Sequence, residues 1–270
     1  MAIYLMDSGM ARKCMPKIVA ISNQKGGVAK TTSCISIAAA LAEDGRQVLM
    51  LDLDPQANLT TACGFDPDEL DWTIADLLIP EGSEEIPSIT EIIQHSVMEG
   101  LDILPADMRL AALERRMYDQ AGYENRLEEL AESLSGYEVI LIDCPPSMGA
   151  LTLMGLSAAQ MAVVPVQCEY FASRGLMQLL EIVNVVKDQT NPELRFYLFA
   201  SMYDQRNLVS RQVLESLQEH FSENMFDTII RIDTRIRESA MVGEPIHMYA
   251  PKTRAADEYR ALAQEIITIL

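Results

Sequence analysis

Short apolar runs alternate with amphipathic stretches along the chain from residue 17 onward. Continuous apolar runs are typical of strands buried on both faces of a parallel sheet, and apolar positions three and four residues apart predict the helices between them. The predicted strands cover 17–22, 48–52, 101–105, 137–143, 161–166, 194–201 and 226–231. The predicted helices cover 31–44, 107–118, 122–134, 149–159, 171–188, 207–220 and 252–269.

This alternation predicts an α/β fold, a doubly wound and mostly parallel sheet with helices on both faces. No internal repeat, low-complexity segment or proline- and serine-rich linker interrupts the pattern. We therefore expect a single domain over 17–270. Residues 1–16 are expected to form a flexible N-terminal extension and not a signal peptide, because Asp7 cuts the apolar stretch there.

The composition does not change the predicted fold class, but the net charge limits the kinds of partner that the protein can bind. The chain has 270 residues and a formal net charge of −19, which argues against attraction of its whole surface to nucleic acid or to an anionic membrane. Between Asp66 and Glu138 there are nineteen acids and four bases, whereas residues 201–270 hold eleven acids and eight bases, seven of them arginine. A local basic surface in the C-terminal third is therefore still possible.

The five cysteines stand singly along the sequence. Without a C-x-x-C pair, neither a zinc site nor an iron–sulfur cluster is indicated. Scattered single cysteines are typical of a reduced, cytosolic protein.

The strongest chemical signal is the segment SNQKGGVAKTT at 22–32, which lies between a predicted strand and a predicted helix. The common phosphate-loop pattern G-x-x-x-x-G-K-[ST] fails here, because Gln24 and Ala29 occupy its two outer glycine positions. What remains is K-G-G-x-x-K-T-T. An alanine in place of glycine costs little unless the backbone needs a positive φ there, so we expect Ala29 to alter nucleotide affinity or rate without abolishing binding.

The remaining pattern suits a phosphate-binding loop. Gly26 and Gly27 let the backbone turn its N–H groups toward phosphate oxygens. Lys30 can reach the β and γ phosphates, the Thr31 hydroxyl can ligate Mg²⁺, and the helix N-terminus adds its positive end. The order of strand, loop, lysine, threonine pair and helix favours this interpretation over a chance glycine turn.

The motif K-G-G-x-x-K-T-T resembles the deviant phosphate loop of the ParA/MinD family of P-loop ATPases, and further blocks resemble the ParA/Soj partitioning ATPases within it. The resemblance runs from residue 17 to the C-terminus and implies the P-loop NTPase fold, with ATP and Mg²⁺ as cofactors. The further blocks are VLMLDLDPQANLT at 48–60, YEVILIDCPPSMG at 137–149, SMYDQRNLVSRQV at 201–213 and MYAPKTRAADEYRALAQEI at 248–266.

The resemblance also implies roles for single residues. Asp54 would orient or deprotonate the attacking water, and Lys25 would reach across an ATP sandwich dimer to the partner's nucleotide. Strand alternation brings Asp52 and Asp54 to the carboxyl edge of the sheet, where ligands bind in doubly wound folds; a pair of solvated carboxylates is the alternative. The implied catalytic residues are Asp54, Lys25 and Lys30, and the implied metal residues are Thr31, Asp52 and Asp143.

Nucleotide binding is implied for a longer set of residues. Three of them are expected to border the adenine, although a methionine at such a place suits the core equally well. The loop residues are Lys25, Gly26, Gly27, Val28, Ala29, Lys30, Thr31 and Thr32, and the adenine residues are Met202, Asp204 and Pro251.

The segment IIRIDTRIRESAMVGEPI at 229–246 is similar to a ParA segment in the region through which those proteins bind DNA without sequence preference. Surface ion pairing with the abundant acids is the alternative role for its arginines. The chain ends in EYRALAQEIITIL, which lacks a basic stripe, so no membrane partner is expected. The candidate DNA contacts are Arg211, Arg231, Arg235, Arg237, Lys252 and Arg254.

The resemblance thus implies a slow ATP hydrolase that forms a homodimer on ATP and binds DNA non-specifically. A ParB-like protein or cargo adaptor would stimulate hydrolysis and release it, which would segregate a plasmid, a chromosome origin or a protein cargo. We expect a cytoplasmic, nucleoid-associated protein. Two alternatives stay open: a nucleotide-dependent regulatory or scaffold switch that does not bind DNA, and a synthetase or kinase that uses a small molecule.

Overall fold

The computed structural model describes residues 15–78, 87–169 and 172–270. Within them, parallel pairing links all neighbouring strands except β3 and β4, which are antiparallel. The strands are β1 (Lys17–Ile21), β2 (Val48–Asp52), β3 (Gln94–His95), β4 (Leu101–Leu104), β5 (Val139–Asp143), β6 (Met161–Gln167) and β7 (Arg195–Ser201). Their order across the sheet is β3-β4-β2-β5-β1-β6-β7.

Helices connect these strands and cover the sheet. Short 3₁₀ turns lie at Pro67–Glu69, Tyr123–Asn125 and Ser222–Asn224. The α-helices are α1 (Lys30–Glu43), α2 (Asn58–Ala62), α3 (Ile74–Leu78), α4 (Ile89–Ile92), α5 (Arg109–Met117), α6 (Arg126–Ala131), α7 (Ala150–Ala158), α8 (Ala172–Gln189), α9 (Leu208–His220), α10 (Thr234–Met241), α11 (Ile246–Tyr249) and α12 (Arg254–Ile269).

The sheet separates two apolar clusters, because successive side chains of a strand point to opposite faces. In β1, Ile18 faces one cluster and Val19 faces the other. The first cluster receives side chains of α5, α7 and α8, and the second receives those of α1 and α12, including the fully buried Tyr259. This layering confirms the predicted doubly wound α/β fold.

The strand predicted over 226–231 is wrong. This segment runs beside β7, where the N–H groups of Phe226 and Ile230 each donate to β7 carbonyls at 2.9 Å. Between them, the N–H groups of Asp227 and Thr228 donate to the Glu265 carboxylate at 2.8 and 3.0 Å. A side chain of α12 therefore takes the donors that a continuous strand would use.

Two further predictions concern the ends and the extent of the chain. Of the extension predicted over 1–16, residues 1–14 lie outside the described part, and the single domain over 17–270 stays a prediction. Among the residues that the structure describes, no helix is both long enough and apolar enough to cross a membrane.

Candidate active site

Three neighbouring strands end at the same edge of the sheet and place the acidic residues there. Asp143 of β5 is in register with Asp52 of β2 on one side and with Ile21 of β1 on the other. The loop that follows β1 leads directly into α1. The phosphate-loop segment and the two strand-end carboxylates are thereby brought together, as the order of the motifs predicts.

The loop between β1 and α1 contains two residues in the left-handed region. Gly27 has φ +75°, and Ala29 has φ 71° and ψ 35° and forms the N-cap of α1. A left-handed conformation costs an alanine about 1–2 kcal/mol. The condition under which we expected Ala29 to cost little is therefore not met, and the loop carries local strain at this position.

Thr31 and Asp143 form a bonded pair at the start of α1. The Thr31 hydroxyl donates to Asp143 Oδ2 at 2.6 Å. The other oxygen, Oδ1, is buried and has no hydrogen-bond partner among the described residues. A buried carboxylate oxygen without a partner is costly unless a ligand satisfies it. Hard oxygen donors of this kind suit Mg²⁺ and the water molecules around it, so the residues present fit a magnesium site.

Burial dominates the electrostatics of this edge. It raises the pKa of Asp143 well above its ordinary value, with the nearby Asp52 acting in the same direction. It also lowers the pKa of Lys30, although Asp143 and Asp54 oppose that shift by attraction. A divalent cation bound here would stabilise the ionised carboxylates.

Asp52 is fully buried and organises the segment that follows β2. Its Oδ1 accepts from the Asp54 N–H at 3.0 Å, and its Oδ2 accepts from the N–H and hydroxyl of Thr60, both at 2.9 Å. Burial raises its pKa to about 6, and these hydrogen bonds oppose the rise. Asp52 therefore lies beside Asp143 but uses both oxygens to hold residues 54–60.

Asp54 lies beside the phosphate loop, in the wall of a shared cavity. It is 8% exposed, its Oδ1 accepts from the Gln56 N–H at 2.9 Å, and it lines a cavity of about 520 Å³. The phosphate-loop lysine and threonines share that cavity with residues of α2 and α10. Its walls are formed by Gly26, Gly27, Ala29, Lys30, Thr31, Thr32, Ile35, Ser36, Asp54, Gln56, Asn58, Thr61, Ala62, Pro146, Ile236, Ser239, Ala240 and Glu244.

A second cavity of about 270 Å³ adjoins the first, and the two share Gly27, Ala29, Thr32 and Ile236. Its other walls combine four largely apolar side chains with three charged ones. They are Met202, Ile230, Arg231, Ile232, Asp233, Arg237 and Tyr259.

The residues predicted to border adenine do not all reach these cavities. Met202 lines the second cavity, but Asp204 and Pro251 line neither of the two. The Asp204 carboxylate instead accepts from Arg206 Nε and Nη2, each at 2.9 Å. Val28 also lines neither cavity; its side chain is buried, and its carbonyl accepts from Ser201 Oγ at 3.0 Å.

The sequence argument missed the contribution of α10 and of the residues after Asp54. Gln56 and Asn58 belong to the segment DLDPQANLT that was already singled out, so the motif itself could have indicated them. Ile236 and Ser239 lie on α10, in a segment examined only for its arginines. Nothing in their local pattern points to a cavity.

Lys25 lines neither cavity. Its ammonium group lies 3.3 Å from Oε1 of Gln167, the last residue of β6, and 2.6 Å from Oε2 of Glu169, two residues further on. The structure therefore places the first lysine of the motif away from the phosphate loop's own cavity, unlike Lys30.

The candidate DNA contacts fall into two groups. Arg231 Nη1 lies 2.5 Å from Glu258 Oε1, and Arg254 Nε lies 3.3 Å from the same oxygen, so these two arginines are paired with a buried acid. The others are exposed and form no ion pair within 4.0 Å among the described residues. They are Arg211, Arg235, Arg237 and Lys252.

Comparisons with known proteins find relatives that are similar to this chain over most of its length. A family model described as an AAA domain matches residues 16–196. The chain is 37% identical over 254 residues to the sporulation initiation inhibitor protein Soj of Bacillus subtilis, in an alignment that covers 93% of this chain and 98% of Soj. It is 36% identical over 256 residues to the chromosome partitioning protein ParA of Caulobacter vibrioides, with 93% and 94% of the two chains covered.

A solved structure extends the similarity to three dimensions. It is named cobyrinic acid a,c-diamide synthase from Mycobacterium smegmatis and was determined with bound ADP and magnesium. It superposes on this chain with a TM-score of 0.81 at 36% sequence identity, and 94% of each chain is covered.

Proposed function

Since the chain belongs to the ParA/Soj-type ATPases, we propose that it hydrolyses ATP slowly in a cycle of dimerisation and DNA binding. In this cycle ATP joins two copies into a sandwich dimer, the dimer binds DNA non-specifically, and a partner protein stimulates hydrolysis and release. One observation carries the proposal: Lys30, Thr31 and Asp54 line a single cavity, and Asp143 is bonded to that threonine.

The phosphates of ATP would lie on the loop between β1 and α1. The N–H groups around Gly26 and Gly27 and the positive end of α1 favour bound anions, and Lys30 adds a buried positive charge. Thr31 and Asp143 would hold Mg²⁺, which supplies neutralisation of the charge on the phosphate oxygens. Asp52 supports this arrangement by holding residues 54–60 in place.

Asp54 would orient or deprotonate the water that attacks the γ phosphate. Its N–H donates to Asp52 and its own Oδ1 accepts from Gln56, so its carboxylate is held at the cavity wall. Lys25 would act on the nucleotide of the second subunit, since it lines neither of the two cavities of this site. The adjoining 270 Å³ cavity would take the base, with Met202 in its wall.

The exposed, unpaired bases are the part of the C-terminal region available to DNA. Arg235 and Arg237 lie on α10, and Lys252 precedes α12. A dimer in which three of the four exposed bases on each subunit contact DNA would give a slope of about −5 in a plot of log affinity against log salt concentration. Arg231 and Arg254 would contribute less, because both are paired with Glu258, which offsets part of their charge.

Retention of DNA fragments on a filter, with and without ATP and over a salt series, tests the proposal. We expect retention only with ATP and a steep loss with salt. Retention that is flat with salt, or absent while ATP is hydrolysed, would favour the switch that does not bind DNA. Hydrolysis that follows added cobyrinic acid would favour a small-molecule enzyme, the class named by the Mycobacterium smegmatis structure.

A further inference from the structure

Lys25 is held inside its own subunit by two side chains at the end of β6. Its Nζ lies 2.6 Å from Glu169 Oε2 and 3.3 Å from Gln167 Oε1. The Gln167 amide also donates to Glu169 Oε1 at 2.6 Å, so the two acceptors are bonded to each other. The ammonium group thus contacts two side-chain oxygens of residues that line neither cavity of the site.

The backbone of Lys25 is fixed to the same place. Its N–H donates to Asn23 Oδ1 at 3.0 Å, and the Asn23 amide donates to the Pro165 carbonyl of β6 at 2.8 Å. Gly175, near the start of α8, also lies beside Lys25, because a Cβ built on it would be 3.9 Å from Lys25 Cβ. Hydrogen bonds therefore tie both the backbone and the side chain of the lysine to β6 and the residues just after it, and α8 begins close by.

We propose that Glu169 and Gln167 form a latch that stores Lys25 in the free subunit and must release it before two subunits can join on ATP. This inference rests on the proposed action of Lys25 on the second subunit's nucleotide. The 2.6 Å contact with Glu169 holds the ammonium group at its own subunit, so Glu169 competes for it with a phosphate held by another chain. The latch therefore opposes dimerisation, and Glu169 sets the ATP concentration at which it begins.

The interaction between Lys25 and Glu169 is weak, as a reversible switch requires. The Lys25 side chain is 32% exposed and that of Glu169 is 55% exposed, so water and salt screen the pair. Exposed ion pairs of this kind shift an equilibrium by about twofold to fivefold. Opening the latch therefore requires little free energy, so a phosphate of the second subunit's nucleotide can compete with Glu169 for the lysine.

Glu169→Gln in the full chain tests the latch, because glutamine keeps the size of the side chain and removes its charge. Sedimentation in ATP titrations gives the dimer fraction, and an Asp54→Ala background in all variants prevents hydrolysis from eroding the dimer. We expect Glu169→Gln to lower the ATP concentration for half-maximal dimerisation by about twofold to fivefold at low salt. At about 0.5 M salt the difference should vanish.

A matched control separates the latch from a general loss of negative charge. Glu181→Gln, on the exposed side of α8, removes the same charge from a residue that does not contact Lys25, and it should leave dimerisation unchanged. Melting temperatures of all variants show that the fold is intact. The double variant Lys25→Ala/Glu169→Gln should dimerise no better than Lys25→Ala.

The outcomes keep the latch and the proposed function apart. If Lys25→Ala dimerises like the parent protein, the proposed action of Lys25 on the second subunit is wrong. If Lys25→Ala loses the dimer but Glu169→Gln gains nothing or dimerises less well, the latch alone is wrong. A gain that persists in the double variant, or that appears equally in Glu181→Gln, also overturns the latch.

Discussion

Two regions of this molecule use positive charge in opposite ways. At the phosphate loop, Lys30 is 8% exposed and lies among acids, and burial lowers its pKa. On α10, Arg235 is exposed and has no acidic partner among the described residues. A buried charge interacts strongly with a few fixed neighbours, whereas an exposed charge is screened and adds to others. Single substitutions should therefore act strongly and specifically at the loop, and weakly and additively on α10.

The largest effect is expected for Lys30→Ala. Removing this cation takes away a phosphate partner and leaves Asp143 buried without its nearest positive charge. We expect ATP affinity, measured by calorimetry, to fall by at least about 30-fold, since truncating one member of a buried charge pair costs about 2–5 kcal/mol. Lys187→Ala on α8 removes the same charge from the exposed surface and should bind ATP like the parent protein. An affinity loss below tenfold would contradict the contrast between the two regions.

Asp54→Ala should separate binding from hydrolysis. A positioned acid–base group contributes about 10²–10⁴-fold to a rate, so we expect at least about 100-fold slower phosphate release with nearly unchanged ATP affinity. The stalled protein should elute from a sizing column as a dimer when ATP is present. Asp188→Ala, an exposed acid on α8, serves as the control, and a monomeric Asp54→Ala protein would count against the assignment.

Arg231→Ala should affect mainly the stability of the protein, and Arg235→Ala mainly its binding to DNA. Arg231→Ala leaves Glu258 with fewer partners, and we expect about 1–2 kcal/mol of lost stability in urea denaturation. Arg235→Ala should leave stability unchanged and make the salt slope for DNA shallower by about 2 in the dimer. Arg115→Ala on α5 is a charge-matched control for the DNA experiment. If both substitutions change the same property, the distinction between paired and free arginines is wrong.

The smallest effect is expected for Ala29→Gly. Glycine adopts the left-handed conformation of this residue without strain, so we expect a gain of about 0.5–1 kcal/mol in unfolding free energy. Ala261→Gly on the exposed side of α12 should have the opposite sign, because a glycine inside a right-handed helix destabilises it. Urea denaturation of both variants measures the change in the free energy of unfolding for each. A destabilised Ala29→Gly protein would show that the methyl group is needed.

Much of the fold follows from local pattern. The continuous apolar runs of β1, β2 and β5 place their last residues at the sheet edge, and the phosphate loop lies where a strand meets a helix. The run at 226–231 looks the same in sequence, yet Glu265 takes its central N–H groups. That acid lies 37 and 38 residues away from them, beyond the reach of any local rule.

The sequence by itself determined most of the strands and the longest helices, the edge at which Lys30, Thr31 and Asp143 meet, and the chemistry that those residue types can perform. Only the tertiary structure decided that Lys25 faces Glu169, 144 residues along the chain, and that Arg231 is paired while Arg235 is free. The physical reason is distance. Periodicity and motif spacing report what neighbours in the chain do together, whereas an ion pair depends on which distant side chains the packed helices bring within reach.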